Sequence, residues 1–174
     1  MTGKEFINAI ANGETDIIQE LLDITKQTDS LYCVVGGLAV NAYVEPVVSL
    51  DLDVVVIARN IELVCEKSLA HGFKIERFQH SINLNNAKSE LRIQLQTDAR
   101  YQEFINHATK KNILGYDMQV AQIEDVLRGK IWAFQDETRR KSKRQKDLAD
   151  IIRLVEEHPD LMEKLPDSIR KLVE

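Results

Sequence analysis

Apolar residues recur along this chain with two spacings, and the spacing indicates which stretches are helices and which are strands. Apolar side chains every three to four residues predict amphipathic helices over 3–12, 15–27 and 61–70. Alternating or β-branched runs predict strands over 31–35, 52–57, 73–78, 81–85 and 90–97. Together they predict an α/β (α+β type) fold, in which helices flank a short mixed sheet of about four to six strands.

The pattern becomes helical toward the C-terminus. It predicts a helix over 101–109 and then an extended passage over 112–120, which is broken at Gly115. Two longer helices are predicted over 123–134 and 143–156. Pro159 and Pro166 then introduce two short helices. We therefore predict one domain. Its N-terminal helices occupy 1–28, its sheet core 31–120 and its C-terminal helical segment 122–174.

Composition narrows the classes of protein to consider. The 174 residues are 44% hydrophobic, which is enough for one well-buried core. The formal net charge of −5 argues against a general nucleic-acid coat protein. Cys33 and Cys65 lie in apolar stretches without a Cys or His at metal-ligand spacing, so we expect buried thiols. We expect a cytoplasmic protein with no membrane partner, because the chain shows neither a leader nor a membrane-length apolar run.

Two glycines and two aspartates carry the clearest chemical signal. Gly36 and Gly37 follow a predicted strand, and such a turn lets backbone N–H groups approach a phosphate. Asp51 and Asp53 begin the next strand, where side chains alternate, so both carboxylates point to one face. Their mutual repulsion is relieved by exposure to water or by a cation between them, and hard oxygen ligands of this kind suit Mg²⁺ or Mn²⁺. Metal beside phosphate suggests nucleotidyl transfer.

This arrangement of a Gly-Gly turn and an Asp-x-Asp pair resembles the polymerase-β-like nucleotidyltransferase superfamily. The stretch 35–56 is most similar to the small bacterial branch that contains abortive-infection toxin nucleotidyltransferases. The resemblance continues through a lysine-containing helix and a Lys-Asp-x-x-Asp pattern, and it spans most of 31–155. It implies the nucleotidyltransferase fold and transfer of a nucleoside monophosphate from an NTP.

The resemblance also implies roles for individual residues. Asp51 and Asp53 are expected to bind divalent metal, while Gly36 and Gly37 hold the triphosphate of the nucleotide. Relatives usually carry Arg and Thr four and two residues before the first aspartate, where this chain has Val47 and Ser49. A serine hydroxyl can replace that of threonine, whereas valine cannot replace a guanidinium.

The third carboxylate of the superfamily is the main departure. It normally lies on a later strand, near the position that Gln94 occupies here. Glutamine can coordinate a metal but cannot act as a base. Asp98 lies on the same face of that strand and is a candidate replacement metal ligand, although a helix N-cap before Tyr101 is the alternative interpretation.

Charged residues on the two C-terminal helices are further candidates. Lys130 either reaches a phosphate or only extends its ammonium to solvent from an apolar helix face. Lys146, Asp147 and Asp150 share a helix face, and either form an intrahelical ion pair or, as the resemblance suggests, help to close the nucleotide pocket. Asp147 is then the better candidate for a base or an orienting group.

The segment Arg139–Lys146 is strongly basic, with six positive charges in eight residues. It is either a solvated helix face or a surface that steers an NTP, an RNA end or a protein acceptor toward the site. Trp132, Phe134 and Tyr101 either stack on a base or belong to the core.

Three functions therefore remain open from the sequence. The first is metal-dependent transfer of NMP to an acceptor hydroxyl on RNA, on a protein or on a small molecule. The second is a catalytically silent nucleotide- or partner-binding module, for example of a toxin–antitoxin pair, which Gln94 and Val47 favour. The third is an RNA-binding protein that acts only through the basic segment.

Overall fold

The computed structural model describes residues 1–174 and contains eight α-helices and seven strands. The helices span Gly3–Ile10 (α1), Ile17–Gln27 (α2), Gly36–Val40 (α3), Ile61–Ala70 (α4), Phe104–His107 (α5), Ile123–Gln135 (α6), Lys141–Glu157 (α7) and Asp167–Val173 (α8). The strands span Tyr32–Val35 (β1), Asp51–Val56 (β2), Lys74–Arg77 (β3), Ser81–Asn85 (β4), Arg92–Gln96 (β5), Thr109–Ile113 (β6) and Tyr116–Val120 (β7). Short 3₁₀ helices span Ala58–Asn60, Ala99–Tyr101 and Pro159–Lys164.

All seven strands belong to one open mixed sheet with the order β3-β4-β5-β2-β1-β7-β6. Strand β2 pairs antiparallel with β1 and parallel with β5, so it lies at the centre of the sheet. The predicted α/β fold is confirmed. The sheet has one strand more than the predicted range, because the single extended passage predicted over 112–120 contains the end of β6, a turn and the whole of β7.

That hairpin, β6–β7, was not predicted as such, and its turn explains why. Leu114 and Gly115 form the two-residue connection and both have positive φ, at 53° and 87°. A turn of this kind favours Asn-Gly or Asp-Gly, so the Leu-Gly sequence gives a weak signal. The predicted helix over 101–109 is wrong for most of its length. A 3₁₀ turn and the four residues of α5 replace it, and Thr109 already belongs to β6.

Helices α6 and α7 pack against each other and against α3, beside the central strands. Their contact with α3 brings the C-terminal part of the chain next to the start of β2. The 41 buried apolar residues form one cluster, which includes the two cysteines as free thiols. Burial raises the pKa of Cys33 to about 12, as expected for a packed thiol. None of the helices combines the length and the apolar character that a membrane crossing requires.

Candidate functional site

Asp51 and Asp53 project from one face of β2, because they alternate with the buried Leu52. The sheet register places their neighbours on β5 directly beside them: Arg92 lies opposite Asp51, and Gln94 lies opposite Asp53. The position predicted for a third carboxylate is therefore adjacent to the aspartate pair, and it holds an amide.

Gly36 follows β1 and opens α3, and two features of its position require glycine. Its φ is +71°, a conformation that L side chains rarely adopt. A Cβ at this position would also collide with Oδ2 of Asp53. Gly37 differs, because a Cβ there would lie 3.9 Å from Asp150 Oδ2 and from Ser49 Oγ, which is ordinary contact. The first glycine therefore makes room for the second aspartate of the pair.

Both oxygens of Asp51 have a cationic partner. Arg92 Nε donates to Oδ1 at 2.6 Å, and Lys143 Nζ donates to Oδ2 at 3.3 Å. Partial burial acts to raise the pKa of Asp51, but the hydrogen bonds and charges of Arg92 and Lys143 outweigh burial and lower it. Asp51 is therefore ionised and cross-links β5 to the start of α7.

The Asp53 carboxylate has a different environment. Burial raises its pKa to about 6, against the opposing positive charge of Lys130. The neighbouring charge of Asp51 also raises this pKa. Asp53 is therefore the member of the pair whose charge is least compensated by the protein itself.

Beside the pair lies a buried ion network that joins α6 to α7. Lys130 Nζ is 3.0 Å from Asp147 Oδ1 and 2.8 Å from Asp150 Oδ2, and Arg139 Nε is 2.7 Å from Asp147 Oδ2. The side chains of Lys130 and Asp147 are only 9% and 1% exposed. Burial acts to lower the pKa of Lys130, but the charges of Asp150 and Asp147 outweigh burial and raise it. The ammonium is therefore charged and fixed in place.

These groups line a cleft that consists of three connected hollows. We use the name cationic hollow for a volume of about 570 Å³ bounded by α3, the loop before β2 and α7. The name junction denotes a smaller hollow of about 160 Å³, which contains Asp51, Asp53 and Gln94. The name polar hollow denotes a volume of about 510 Å³ on the other side, which shares Gln96 and Arg139 with the junction.

The cationic hollow has an excess of positive charge. Four carboxylates line it, from Asp51, Asp53, Asp147 and Asp150. Six cationic side chains also line it, from Arg92, Lys130, Arg139, Lys143, Lys146 and Arg153. Clefts of one charge sign concentrate ligands of the opposite sign. The cationic hollow is therefore suited to a polyanion that reaches the aspartate pair.

Oxygen donors at the junction suit a hard divalent cation. Asp51 and Asp53 share a face, and the side-chain amide of Gln94 adds a neutral oxygen beside Asp53. No group of three or more His, Cys, Asp or Glu side chains is arranged to hold a metal ion. The two carboxylates and the amide suit one Mg²⁺ or Mn²⁺ ion, which would replace Arg92 or Lys143 at an oxygen of Asp51. The third carboxylate that a two-ion site would use is lacking.

The structure brings most of the predicted site residues together. Gly36 lines the junction, and Gly37, Ser49 and Lys146 line the cationic hollow. The Ser49 hydroxyl accepts a hydrogen bond from the Asp51 backbone N–H at 3.2 Å, at the start of β2. Lys146 is exposed and forms no ion pair with Asp150, whose partners are Lys130 and Arg153.

The structure separates Asp98 from the aspartate pair. Its side chain accepts a hydrogen bond from the Arg100 backbone N–H at 3.0 Å and pairs with the Arg100 guanidinium. It lines the polar hollow and not the junction. The N-cap interpretation therefore describes Asp98, whose two oxygens both face Arg100. Its role as a metal ligand stays a prediction that this arrangement does not favour.

Two arginines in the site were not identified from the sequence. Arg92 precedes Gln94 by two residues on β5, so strand alternation alone places it on the same face. Arg153 contacts Asp150 at 2.8 Å and donates to the Glu45 backbone carbonyl at 2.6 Å. It lines the cationic hollow together with Val47, so α7 supplies a guanidinium beside the position where the sequence lacks one.

The basic segment Arg139–Lys146 is only partly a solvated surface. Arg139 and Lys143 pair with Asp147 and Asp51, and Arg144 Nε donates to the Phe134 backbone carbonyl at 2.7 Å. Half of its six cations are therefore engaged within the fold. The aromatic candidates are also packed: Trp132 stacks on Phe104 with ring centroids 5.6 Å apart, and Tyr101 meets both rings edge-on.

Comparison with known proteins supports the fold and leaves the activity open. No protein-family model matches the sequence, and no curated protein is similar to it. The structure of ANT(2″)-Ia in complex with adenylyl-2″-tobramycin is similar, with a TM-score of 0.67 and 12% identity over 91% of this chain and 97% of that one. The lincomycin-bound lincosamide antibiotic adenylyltransferase LnuA is similar with a TM-score of 0.55 and 14% identity, over 80% of this chain and 96% of that one.

A third similar structure is an antigenic nucleotidyltransferase-like protein from Paracoccidioides brasiliensis. Its TM-score is 0.54 at 21% identity, over 89% of this chain and 90% of that one. At such low identities the similarity extends to the fold alone. The chain has the nucleotidyltransferase fold that its Gly-Gly turn and Asp-x-Asp pair predict.

Proposed function

We propose that the protein is a metal-dependent nucleotidyltransferase, which transfers NMP from an NTP to an acceptor hydroxyl with release of pyrophosphate. The observation that carries the proposal is the position of Asp51 and Asp53. They line both the junction and the cationic hollow, which six cations also line. Phosphoryl transfer depends mainly on positioning and on compensation of phosphate charge, and both are provided here.

The cationic hollow is the proposed triphosphate site. Lys143, Lys146 and Arg153 line it, and they offer positive charge to the β- and γ-phosphates. Gly37 leaves its backbone open toward Ser49 and Asp150, so a phosphate can approach α3 closely. The α-phosphate is then placed at the junction beside Asp51 and Asp53.

Asp51 and Asp53, with the Gln94 amide oxygen, are the residues that would hold one Mg²⁺ or Mn²⁺ ion. When bound, such an ion acts as a Lewis acid that stabilises negative charge on the phosphate. Asp147 is proposed as a positioning residue rather than a base, because Lys130 and Arg139 occupy both of its oxygens. The Asp147 carboxylate holds the Lys130 ammonium near Asp53.

Incubation with Mg²⁺, each of the four NTPs and a panel of acceptors tests this proposal. Released pyrophosphate is measured for the wild type and for the Asp51→Asn/Asp53→Asn variant. Two neighbours in fold are named for antibiotic adenylylation, so small molecules with free hydroxyls are the first acceptors to include, followed by RNA 3′ ends and proteins. The proposal requires acceptor-dependent pyrophosphate release that the double variant lacks.

A catalytically silent nucleotide-binding module, such as one half of a toxin–antitoxin pair, is the second candidate. It is favoured by Gln94, which lies opposite Asp53 where a third carboxylate is expected. The variant Gln94→Asp distinguishes the two functions. Activity that appears only in this variant would support the silent module, whereas transfer by the wild type would exclude it. A protein that acts only by binding RNA is not favoured, because half of the basic segment is engaged internally.

A further inference from the structure

The polar hollow contains a planar cation that its neighbours hold in place. The Arg100 guanidinium pairs with Asp98, with Nε 3.3 Å from Oδ1 and Nη2 2.9 Å from Oδ2. Its Cζ atom lies over the Trp132 ring, 4.5 Å from the ring centroid. Phe104 stacks on the same indole with an interplanar angle of 14°. The guanidinium thus lies over an indole that also stacks on Phe104, and 56% of the Arg100 side chain is exposed.

The charges of the polar hollow cancel, unlike those of the cationic hollow. Its two acidic residues are engaged: Asp98 pairs with Arg100, and Asp136 accepts hydrogen bonds from the Thr138 hydroxyl and backbone N–H. Its arginines are Arg100 and Arg139, and Arg139 pairs with Asp147. A triphosphate is better served by the cationic hollow, and a polycationic ligand finds no unpaired carboxylate here.

A planar and uncharged ligand fits these surroundings. Guanidinium planes, like aromatic rings, provide stacking surfaces for nucleobases. Gln79, Gln96 and Gln135 also line the hollow, and their amides carry hydrogen-bond donors and acceptors suited to the edge of a ring. The Gln96 oxygen already accepts a hydrogen bond from the Asp98 backbone N–H at 3.1 Å. Because the polar hollow shares Gln96 and Arg139 with the junction, one nucleotide can extend from the cationic hollow past Asp53 into it.

We propose that the polar hollow is the nucleobase subsite, and that the base stacks on the Arg100 guanidinium, which Asp98 and Trp132 hold in plane. This inference rests on the proposed function, because it assumes that the triphosphate occupies the cationic hollow. It assigns Arg100 a binding role that depends on the shape of its side chain as well as on its charge. It also accounts for the position of Asp98 away from the metal-binding aspartates.

The test compares two ligands, Mg²⁺-ATP and Mg²⁺-tripolyphosphate, which share the polyphosphate and differ in the nucleoside. Arg100→Lys keeps the charge and removes the plane, so we expect about tenfold weaker ATP binding and unchanged tripolyphosphate binding. Arg77→Lys is the matched control. Arg77 is 52% exposed and pairs through two nitrogens with Glu62, outside the hollows, and neither affinity should change.

Trp132 provides a second readout in the unmodified protein, because it is the only tryptophan of the chain. Since the proposed base position is one guanidinium away from the indole, saturating ATP should alter tryptophan emission, whereas tripolyphosphate should not. This measurement does not depend on how any variant folds. Retained tripolyphosphate affinity shows in turn that Arg100→Lys has kept the site intact.

The outcomes separate the two proposals. ATP binding that is unchanged in Arg100→Lys would overturn the subsite alone, as would an equal loss of affinity for both ligands, because Arg100 would then support the site as a whole and not the base. If the polar hollow binds the acceptor instead of the base, Arg100→Lys also leaves ATP binding unchanged, which overturns the subsite. Failure of the wild type to bind ATP at all would overturn the proposed function and the subsite with it.

Discussion

The cationic hollow and the polar hollow use the same kinds of side chain, and they differ in burial and in charge balance. In the cationic hollow, the Lys130–Asp147 pair is 9% and 1% exposed, and cations outnumber carboxylates. In the polar hollow, the Arg100–Asp98 pair is 56% and 19% exposed, and the charges balance. Burial thus makes an ion pair a structural element, whereas exposure leaves one face of it available to a ligand.

The largest expected loss of stability comes from a variant that breaks the buried ion network between α6 and α7. Asp147→Ala leaves Arg139 without its carboxylate and Lys130 with Asp150 alone. We expect a loss of about 3 kcal/mol of unfolding free energy, the low end for a broken buried ion pair, because Lys130 keeps one partner. Asp98→Ala removes an exposed pair and a short cap, for which we expect about 1 kcal/mol. Chemical denaturation measures both values.

Asp117→Ala is the surface control for this pair of variants, because Asp117 is 62% exposed and lies 3.9 Å from Lys110. Its effect should be within about 0.5 kcal/mol. Equal losses for Asp147→Ala and Asp98→Ala would contradict the distinction between the two hollows.

The next largest difference in stability is expected between alanine variants of Gly36 and Gly37. Gly36→Ala places a side chain at a positive φ and against Asp53 Oδ2, so we expect a loss of about 1–2 kcal/mol in stability from the backbone alone. Gly37→Ala meets only ordinary contacts at 3.9 Å and should be nearly neutral. Thermal unfolding of the two variants compares them directly. A Gly37→Ala variant that is the less stable of the two would refute the role assigned to Gly36.

The smallest effect concerns one cation at the rim of the cationic hollow. Lys143→Ala removes a charge that contacts Asp51, and we expect roughly fivefold weaker binding of Mg²⁺-tripolyphosphate, with a reduced dependence on salt. Lys141→Ala is the matched control, because Lys141 lies two residues earlier in the same helix turn and outside the hollow. Titrations at two salt concentrations measure the difference, and equal effects of the two variants would show that only the overall charge matters.

The predictable parts of the molecule are those that depend on local sequence. Helix α4 has the predicted bounds, and Gly72 ends it with a φ of +86°, as its position after the apolar stretch indicates. The shared face of Asp51 and Asp53 follows from strand alternation, and the turn follows from the Gly36-Gly37 sequence. These features need only the neighbouring residues in the chain. The Gln94 position was expected from the resemblance to the superfamily.

The parts of the molecule that were not predicted depend on strand pairing and helix packing between residues far apart in the chain. Arg92 becomes a site residue only once β5 is placed beside β2, and Arg153 only once α7 is packed near α3. Lys130 and Asp147 meet because α6 and α7 form a pair, which no local spacing specifies. Strand alternation places Asp98 on the same face as Gln94, yet the carboxylate of Asp98 pairs with the nearby Arg100 and lies apart from Asp51 and Asp53.

The central claim is that the aspartate pair makes the cationic hollow a nucleotide site, and calorimetry tests it most directly. Mg²⁺-ATP, GTP, CTP and UTP are titrated into the wild type and into the Asp51→Ala/Asp53→Ala variant, with and without a chelator of the metal. We expect binding of at least one NTP that is lost in the double variant and weakened by the chelator. No binding of any NTP, or equal binding by the double variant, would contradict the account.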